Sequence, residues 1–476
     1  MTSLAVALLL TGCAMDPMGP VDASVSADDT GEAAWQAPAS SDPPRRVLLI
    51  LADDLGVESL AAYEDLSPSG AAPRSFAPTP TIDALCDDGV RFTEAWANPT
   101  CSPSRASMLT GRFAARTGVG HAVPLNGRGL GADEPTVPRW LASHAETSVA
   151  TALVGKWHLG ATDETGGRLT PNGFGWGHYA GPLENSVGDY FWWERTVDGE
   201  AAFTDVYATT SQIDDALQWV GDRSADESWL MWLNLAAPHE PLHAPPEHLH
   251  SYGPMSVERA DIAADPLPYF QASLEAADTE LGRLLDALDS RGMGDVDVIF
   301  VGDNGSSGLI VQAPWRSDQA KETLYEGGVR VPLCVSGPSV SEGGRSSPAL
   351  VNLTDIFATT GDLFGLDPEA DLPDTHTFDT VSFASVLRDP AAAGLRAWNY
   401  TDGFGGHLPD GQGAAVRDDR YKVVSWDDGR SAAFDLVADP LETTDLLTAA
   451  VVSDETEARL DGLVRQLDAI TADTGR

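Results

Sequence analysis

The stretch RVLLILADDLG, residues 46–56, begins with one arginine, continues through six apolar residues and then places two carboxylates side by side. An apolar run of this length without a charge is typical of a parallel strand that is buried on both faces of a sheet. The same pattern recurs in three segments that end in polar residues: Val149–Val154 before GKWHLG, Trp229–Leu235 before APH, and Val296–Val301 before GDNG. Ligand crevices of open α/β sheets lie beyond the carboxyl ends of the strands, so we expect these polar residues to converge.

Helical patterns alternate with these strands at Thr81–Gly89, Thr209–Val220 and Pro268–Ser290. The alternation predicts an α/β fold with a large, mixed and mostly parallel doubly wound sheet that is flanked by helices. Beyond about residue 390 the pattern changes to short strands over 414–425 and 432–437, followed by an amphipathic helix over 453–471. We therefore expect a large catalytic domain over residues 45–390 and a smaller antiparallel subdomain with a helix over residues 391–476.

The first thirteen residues contain a short apolar run that ends in LTGC, which resembles the lipobox of bacterial lipoproteins. This run is too short to cross a bilayer as a helix, so it is either an export signal or has no targeting role. We expect export to the periplasm or the cell surface of a bacterium, with a lipid anchor on Cys13. Residues 14–44 are rich in Ala, Asp, Ser and Pro, a composition that predicts a flexible tether.

The chain carries 72 acidic and 29 basic residues, which gives a formal net charge of −43. Such a surface argues against a nucleic-acid partner, because binding to phosphates depends on clustered lysine and arginine. Four cysteines in 476 residues do not make a disulfide scaffold. Cys86 and Cys334 could pair in an oxidising compartment, or, as the default, they are two small buried side chains, and their spacing does not decide between the two.

The most informative segment is NPTCSPSRASMLTGR, residues 98–112. Pro103 suits the first turn of a helix and Ser102 suits its cap, so Cys101 should lie just before a helix N-terminus, where negative charge is favoured. Arg105 would then lie one turn into the helix. The segment resembles the signature of the type I sulfatases of the alkaline phosphatase superfamily, in which a separate generating enzyme oxidises a cysteine in Cys-x-Pro-Ser-Arg to formylglycine.

This resemblance implies that the chain hydrolyses sulfate esters and that Cys101 is the precursor of the nucleophile. A hydrated aldehyde offers one hydroxyl for attack and a second whose deprotonation later expels sulfate, whereas a thiol or serine would stall after the transfer. In the family scheme, Asp303 takes the proton of the attacking hydroxyl.

Asp53, Asp54, Asp303 and Asn304 offer only oxygen donors, which predicts a hard cation, with Ca²⁺ the first choice and Mg²⁺ the second. An Asp pair after a strand is about as often a turn or helix cap as a metal ligand. The sulfatase resemblance matches these four residues to the family's metal ligands, and it adds the modified Cys101 to the same shell.

Four further residues match sulfatase motifs, although each of them alone could be structural. Lys156 and His158 lie two residues apart, so in an extended segment both side chains would point to one side. The resemblance assigns Lys156 and Lys321, with Arg105, to the charge of the sulfate. It assigns His158 to release of the product, and His239 with Lys321 to the leaving oxygen.

The substrate is not specified by these motifs, because specificity in the family lies in variable loops. Here the variable segment is Thr162–Phe203, which contains Trp192, Trp193 and Glu194. The two tryptophans could stack on a sugar or an aryl ring, or they could belong to the core. A strongly acidic protein repels densely sulfated polymers, which favours a mono- or sparsely sulfated carbohydrate or an aryl ester.

Two other functions fit parts of the same pattern. One is a formylglycine-dependent phosphodiester or phosphonate ester hydrolase, and parallel turnover of an aryl sulfate and an aryl phosphodiester would distinguish it. The other is an inactive, lipid-anchored, Ca²⁺-stabilised carbohydrate-binding protein. A binding protein has no need of Cys101, His158 and Lys321 together, so the sequence favours an enzyme.

Overall fold

The computed structural model describes residues 43–474 apart from residues 68–71, 369, 373 and 449–450. The predicted signal peptide, Cys13 and nearly all of the predicted tether lie outside the described residues. The strands in the described part of the chain are β1 Arg46–Ala52, β2 Val90–Trp96, β3 Val149–Gly155, β4 His178–Gly181, β5 Trp193–Val197, β6 Glu200–Thr204, β7 Ser228–Asn234, β8 Asp297–Gly302, β9 Leu333–Ser336, β10 Arg345–Asn352, β11 Asn399–Gly403, β12 Gly413–Arg417, β13 Tyr421–Trp426 and β14 Ser431–Asp435. The α-helices are α1 Pro80–Asp88, α2 Cys101–Thr110, α3 Ala114–Thr117, α4 Val137–His144, α5 Thr170–Gly173, α6 Ala208–Gly221, α7 Arg259–Ala264, α8 Leu267–Ser290, α9 Glu326–Val329, α10 Asp355–Leu363, α11 Ala384–Arg388 and α12 Asp454–Thr474.

Ten strands form one sheet in the order β10-β2-β9-β8-β1-β7-β3-β4-β5-β6. The central pairs of β1 with β7 and β8, and of β3 with β7 and β4, are parallel, whereas β9 and the hairpin of β5 and β6 run antiparallel to their neighbours. The four apolar segments singled out in the sequence are β1, β3, β7 and β8, which are adjacent in the sheet. The predicted doubly wound, mostly parallel fold is therefore confirmed.

Side chains of β1 alternate between two cores that cover the two faces of the sheet. Leu48 and Ile50 belong to one core, which α6 and α8 help to form, while Leu49 and Leu51 belong to the other, beside α2, α4 and α10. Burial on both faces explains why this strand is continuously apolar rather than alternating. It also fixes the strand, so that its carboxyl end presents the next two residues to one edge of the sheet.

The four remaining strands form an antiparallel sheet in the order β11-β12-β13-β14. The single strand predicted over residues 414–425 is two strands, because a turn at Asp418 interrupts it, with the Asp418 amide donating to the Tyr421 carbonyl at 3.0 Å. One face of this sheet packs on α12, and the other packs on the main body through Trp96, Leu324 and Val329. The predicted C-terminal sheet and helix are thus confirmed.

A buried ion pair links this antiparallel sheet, through Lys422 of β13, to Glu326 at the start of α9. The Lys422 ammonium group of β13 donates to Glu326 Oε1 at 3.3 Å, and the Glu326 amide donates to Glu442 Oε2 at 2.6 Å. All three residues are buried. Because a buried charge without its partner is costly, this contact holds the start of α9, five residues beyond Lys321, in one position.

Of the two alternatives that the sequence leaves open for Cys86 and Cys334, the structure has the disulfide and not the default of two separate buried side chains. Helix α1 packs against β9, and this packing brings the two Cα atoms within 5.0 Å although 248 residues separate them along the chain. The sequence spacing carries no sign of that proximity. Cys101 is the free cysteine of the described residues.

Replacing both Cys86 and Cys334 with alanine is expected to lower the free energy of unfolding by about 4 kcal/mol, because the bond closes a long loop in the unfolded chain. Denaturation of the oxidised wild type and the double variant in urea measures the difference. Equal midpoints and slopes for the two proteins would contradict the prediction.

The outer strands of the large sheet are β10 and β6. In β10 the pairing with β2 shifts register between Ser347 and Leu350, around the exposed Pro348.

None of the α-helices in the described residues is both long and apolar enough to cross a bilayer.

Candidate active site

The carboxyl ends of β1 and β8 bring four predicted site residues together. These strands are parallel neighbours with Ala52 opposite Gly302, so the residues that follow them lie side by side. The Asp54 amide donates to Asp303 Oδ1 at 3.1 Å, and Asn304 Nδ2 donates to Asp54 Oδ1 at 2.9 Å. Asp54 has a φ of 62°, a left-handed conformation that turns the chain sharply at the end of β1. The two Asp-rich strand ends therefore form one buried cluster.

Cys101 occupies the first turn of α2 and faces this cluster. Its Sγ atom lies 3.4 Å from Asp53 Oδ1 and 3.9 Å from Asp54 Oδ1. Thr100 is the N-cap residue of the helix, so the expectation that Ser102 caps it is wrong. Ser102 Oγ instead donates to the carbonyl oxygen of His158 at 2.7 Å, which ties the cysteine turn to the histidine loop.

Three cationic side chains surround the carboxylates. Arg105 Nη2 lies 2.9 Å from Asp303 Oδ2 and 3.3 Å from Asp53 Oδ2. Lys156 Nζ contacts Asp53, and Lys321 Nζ contacts Asp54 and lies 3.4 Å from Cys101 Sγ. The predicted charge array is thus assembled around the cysteine.

These contacts set the protonation of the carboxylates. Burial opposes charge on Asp53, but Lys156, His239 and Arg105 hold its pKa well below the usual range. Lys321 acts in the same direction on Asp54 and lowers its pKa despite burial. Burial, reinforced by the charge of Asp53, raises the pKa of Asp303 to about 6.

The pKa values of Cys101 and Lys321 also shift, each in the direction expected from its surroundings. Burial raises the pKa of the Cys101 thiol, and the negative charge of Asp53 adds to this effect. The carboxylate of Asp54 raises the pKa of Lys321 well above its ordinary value, although burial acts against it. In this arrangement Cys101 carries its proton and Lys321 its charge at neutral pH.

Both predicted histidines lie in or beside the cluster. His158 is 1% exposed with a φ of 55°, so its segment is not extended as expected, and its Nδ1 atom has no hydrogen-bond partner among the described residues. Burial, followed by the charge of Lys156, lowers the pKa of His158 well below its ordinary value. His239 Nδ1 donates to the Glu240 carbonyl at 2.6 Å, which leaves Nε2 3.8 Å from Asp54 Oδ2.

The donor set suits a divalent cation. Ligand atoms of Asp53, Asp54, Cys101 and His239 all lie within 4.8 Å of one another. Asn304 Oδ1 is buried and has no hydrogen-bond partner among the described residues, so an oxygen donor beside Asp54 is free for a cation. Carboxylate and amide oxygens favour a hard cation such as Ca²⁺ or Mg²⁺. His239 belongs to the tight group of donors, although the sequence did not suggest it as a ligand.

Tyr190 supports the His239 loop and was missed by sequence reasoning. Its hydroxyl group lies 2.7 Å from the Ala236 carbonyl oxygen and 2.8 Å from the His239 carbonyl oxygen. Its ring stacks on His243 with centroids 4.0 Å apart. A tyrosine 49 residues before the histidine gives no sequence signal of this contact.

Acid is expected to destabilise this loop through His243, whose pKa burial lowers to about 4. Its Nδ1 atom donates to the Pro241 carbonyl at 2.9 Å, and Nε2 accepts from the Tyr207 hydroxyl at 3.0 Å, so an added proton on Nε2 would break the second bond. The unfolded chain binds this proton more tightly, with a pKa of about 6.5, so the stabilisation is fully present above that pH and is lost as the pH falls through about 4. His243→Gln should flatten the fall in unfolding free energy over this range in urea titrations. Identical pH profiles for variant and wild type would contradict the prediction.

The large sheet, with its acidic strand ends and the cysteine at a helix N-terminus, has an α/β fold of the alkaline-phosphatase-like class. Within that class the chain belongs to the sulfatase family, whose family model, described as Sulfatase, matches residues 45–366. It is accordingly an enzyme that hydrolyses sulfate esters.

Similar proteins agree with this assignment. Arylsulfatase G of Rattus norvegicus is 30% identical over 441 residues, which cover 80% of this chain and 76% of that relative. A crystal structure of Ps i-CgsB in complex with k-i-k-neocarrahexaose has a TM-score of 0.72 at 22% identity, covering 91% of this chain and 94% of that one. The structure of BT4656 in complex with its substrate D-glucosamine-2-N,6-O-disulfate has a TM-score of 0.70 at 19% identity, covering 91% and 98%. The two structures share the fold of this chain.

Proposed function

We propose that the chain hydrolyses sulfate esters of carbohydrates with a formylglycine made from Cys101 and a bound divalent cation. The observation that carries this proposal is the position of Cys101 Sγ, 3.4 Å from both Asp53 Oδ1 and Lys321 Nζ. A side chain at this point can contact a cation held by the carboxylates and a substrate anion held by the lysines. When Cys101 is converted, its hydrated aldehyde supplies one hydroxyl for attack on sulfur and a second whose deprotonation releases sulfate.

Asp53, Asp54, Asp303 and Asn304 are the residues that would hold the cation, with Ca²⁺ preferred to Mg²⁺. The unpartnered Asn304 Oδ1 beside the Asp54 carboxylate supports this set. A cation bound there would supply positive charge next to the sulfate oxygens and to residue 101.

The chain's own cations hold the sulfate group. Lys156 and Arg105 are buried and Lys321 is partly buried around Cys101, where water screens their charges little. These three cations are already in place before the reaction. They would stabilise the negative charge that spreads over the non-bridging oxygens of the sulfuryl group during transfer. Removal of one such donor is expected to cost on the order of 3 kcal/mol of barrier.

The two histidines serve the proton transfers. His239 Nε2 faces the cluster on the Asp54 side, and with Lys321 it would protonate the leaving oxygen of the ester. His158 lies behind the cysteine turn, joined to it through the bond from Ser102 to its carbonyl oxygen, and would act in release of the product. Their positions beside the carboxylate cluster and the cysteine turn make both candidates for general acid–base catalysis.

A carbohydrate sulfate is the substrate class that we favour. BT4656, which has the same fold, takes the sulfated sugar D-glucosamine-2-N,6-O-disulfate as its substrate. The net charge of −43 disfavours a densely sulfated polymer outside the cationic pocket, which supports a sparsely sulfated glycan.

We further propose export and maturation by a formylglycine-generating enzyme. The Cys86–Cys334 disulfide supports an oxidising compartment. The lipid anchor on Cys13 remains a prediction from the sequence, because this residue lies outside the described part of the chain.

Mass spectrometry of the peptide that contains Cys101, from protein produced together with a formylglycine-generating enzyme, tests the proposal. We expect the mass of the aldehyde or its hydrate, and sulfate release in proportion to the converted fraction. An active protein whose Cys101 peptide retains the thiol would contradict the formylglycine step. Parallel assays with 4-nitrophenyl sulfate and an aryl phosphodiester distinguish sulfur from phosphorus chemistry.

A further inference from the structure

The two neighbouring tryptophans of the variable segment have opposite surroundings. Trp193 is 1% exposed and lies in the core, whereas Trp192 is 57% exposed. The Trp192 ring stacks on Phe203 of β6, which is 58% exposed, with centroids 5.5 Å apart and an angle of 19° between the rings. We call Trp192 and Phe203 the aromatic shelf. Exposed apolar side chains that form one contiguous patch mark binding sites more often than isolated ones do.

The residues that precede the shelf in the chain connect it to the His239 loop. The Tyr190 hydroxyl bonds to the His239 loop, and the next residue, Phe191, packs its ring 5.9 Å from His243 in an edge-to-face contact. Trp192 follows directly. A single run of three residues thus leads from the backbone beneath His239 to the exposed ring pair.

The charge near the shelf favours a neutral occupant. Residues 189–206 contain five acidic residues and one arginine. That arginine, Arg195, is bound by Asp215, and Glu194 beside the shelf is paired with Arg168 at 3.0 Å. Because Arg195 and Arg168 are already paired with carboxylates, a sulfated ring would gain little from them here, whereas the C–H face of an uncharged pyranose ring packs well on an aromatic face and leaves its hydroxyl groups in water.

We propose that the aromatic shelf binds an unsulfated sugar ring of an oligosaccharide substrate whose sulfated ring occupies the pocket at Cys101. The assignment of that sulfated ring rests on the proposed function, but binding of a neutral ring to the shelf does not require turnover. The shelf would make the enzyme select sulfated chains over sulfated monosaccharides.

Binding of purified full-length protein to an array of mono- to hexasaccharides with at most one sulfate tests the proposal. Protein produced without a formylglycine-generating enzyme, which retains the Cys101 thiol, is used so that no sugar is cleaved. We expect at least one hexasaccharide to bind more tightly than its monosaccharide, and Trp192→Ala to weaken hexasaccharide binding about tenfold. Phe203→Ala should act in the same direction.

Two controls make the result specific. Trp192→Phe keeps an aromatic face and should retain most of the preference for hexasaccharides, whereas Leu395→Ala removes an exposed apolar side chain outside the variable segment and should leave it unchanged. An equal loss for mono- and hexasaccharides in Trp192→Ala, or no preference in the wild type, would overturn the proposal. The proposal would also be overturned if the wild-type protein were a dimer and Phe203→Ala a monomer. In that case a second copy of the chain would cover the shelf. Failure to hydrolyse any sulfate ester after conversion of Cys101 would count against the proposed function alone.

Discussion

Cys101→Ala is expected to lower kcat/KM for 4-nitrophenyl sulfate on the order of 10⁴-fold or more, because it removes the side chain proposed to attack the ester. The cysteine lies between Asp53 and Lys321, with its Sγ atom 3.4 Å from a side-chain atom of each. Binding of inorganic sulfate should survive, since the lysines and the arginine remain. Initial rates with enzyme in excess measure the loss.

The matched control for this variant removes two other cysteines. The Cys86→Ala/Cys334→Ala protein lacks the disulfide but retains the active site, so below its melting temperature it should hydrolyse the same ester at close to the wild-type rate. Turnover that persists in Cys101→Ala at more than about one-hundredth of the wild-type rate would mean that this residue is not the nucleophile.

Removal of divalent cations is expected to lower kcat/KM about 10³-fold, with recovery on addition of Ca²⁺ and weaker recovery with Mg²⁺. Without a cation, Lys156 and Lys321 pair with the carboxylates of Asp53 and Asp54 rather than with the sulfate, and residue 101 lacks a divalent charge beside it. Saturation with Ca²⁺ at a thousandfold its Kd should also stabilise the fold by about 4 kcal/mol. Activity after chelation and desalting, and thermal unfolding with and without Ca²⁺, measure the two effects.

Asn304→Ala and Asn399→Ala provide a matched pair for this experiment. Both asparagines are fully buried and both leave Oδ1 without a hydrogen-bond partner among the described residues, but only Asn304 bonds to a carboxylate of the cluster. Asn304→Ala should abolish the shift in melting temperature caused by Ca²⁺, whereas Asn399→Ala should lower stability and retain the shift. An undiminished shift in Asn304→Ala would exclude this amide from the metal site.

The parts of the fold that the sequence could predict are those with a strong local signal. Strand β1 is apolar from Val47 to Ala52 and is followed at once by Asp53, because burial on both faces and a site at its carboxyl end impose that pattern. The antiparallel strand β9 and the hairpin of β5 and β6 were not predicted, since they are short and their pairing partners are distant in sequence. The disulfide could not be predicted for the same reason, because Cys86 and Cys334 come together only through the packing of α1 on β9.

The composition of the site was predicted more fully than its internal contacts. The residues around Cys101 were identified because their motifs are specific. The role of Ser102 was not, because its hydroxyl bonds across to His158 rather than within its own helix. Trp192 and Trp193 could not be told apart by sequence, since the direction of each ring depends on which face of the β5–β6 hairpin covers the core.

The outer strands of the large sheet bear on how the protein behaves when it is concentrated. An edge strand with free amide and carbonyl groups can recruit a strand from another molecule, which is a common route to aggregates. In β10 the exposed Pro348 lacks an amide proton and interrupts the ladder, while β6 at the opposite edge is only five residues long and begins with Glu200. Neither edge therefore offers a long, flat strand with which another molecule could pair. The two edges of the sheet thus protect the protein against aggregation by strand pairing.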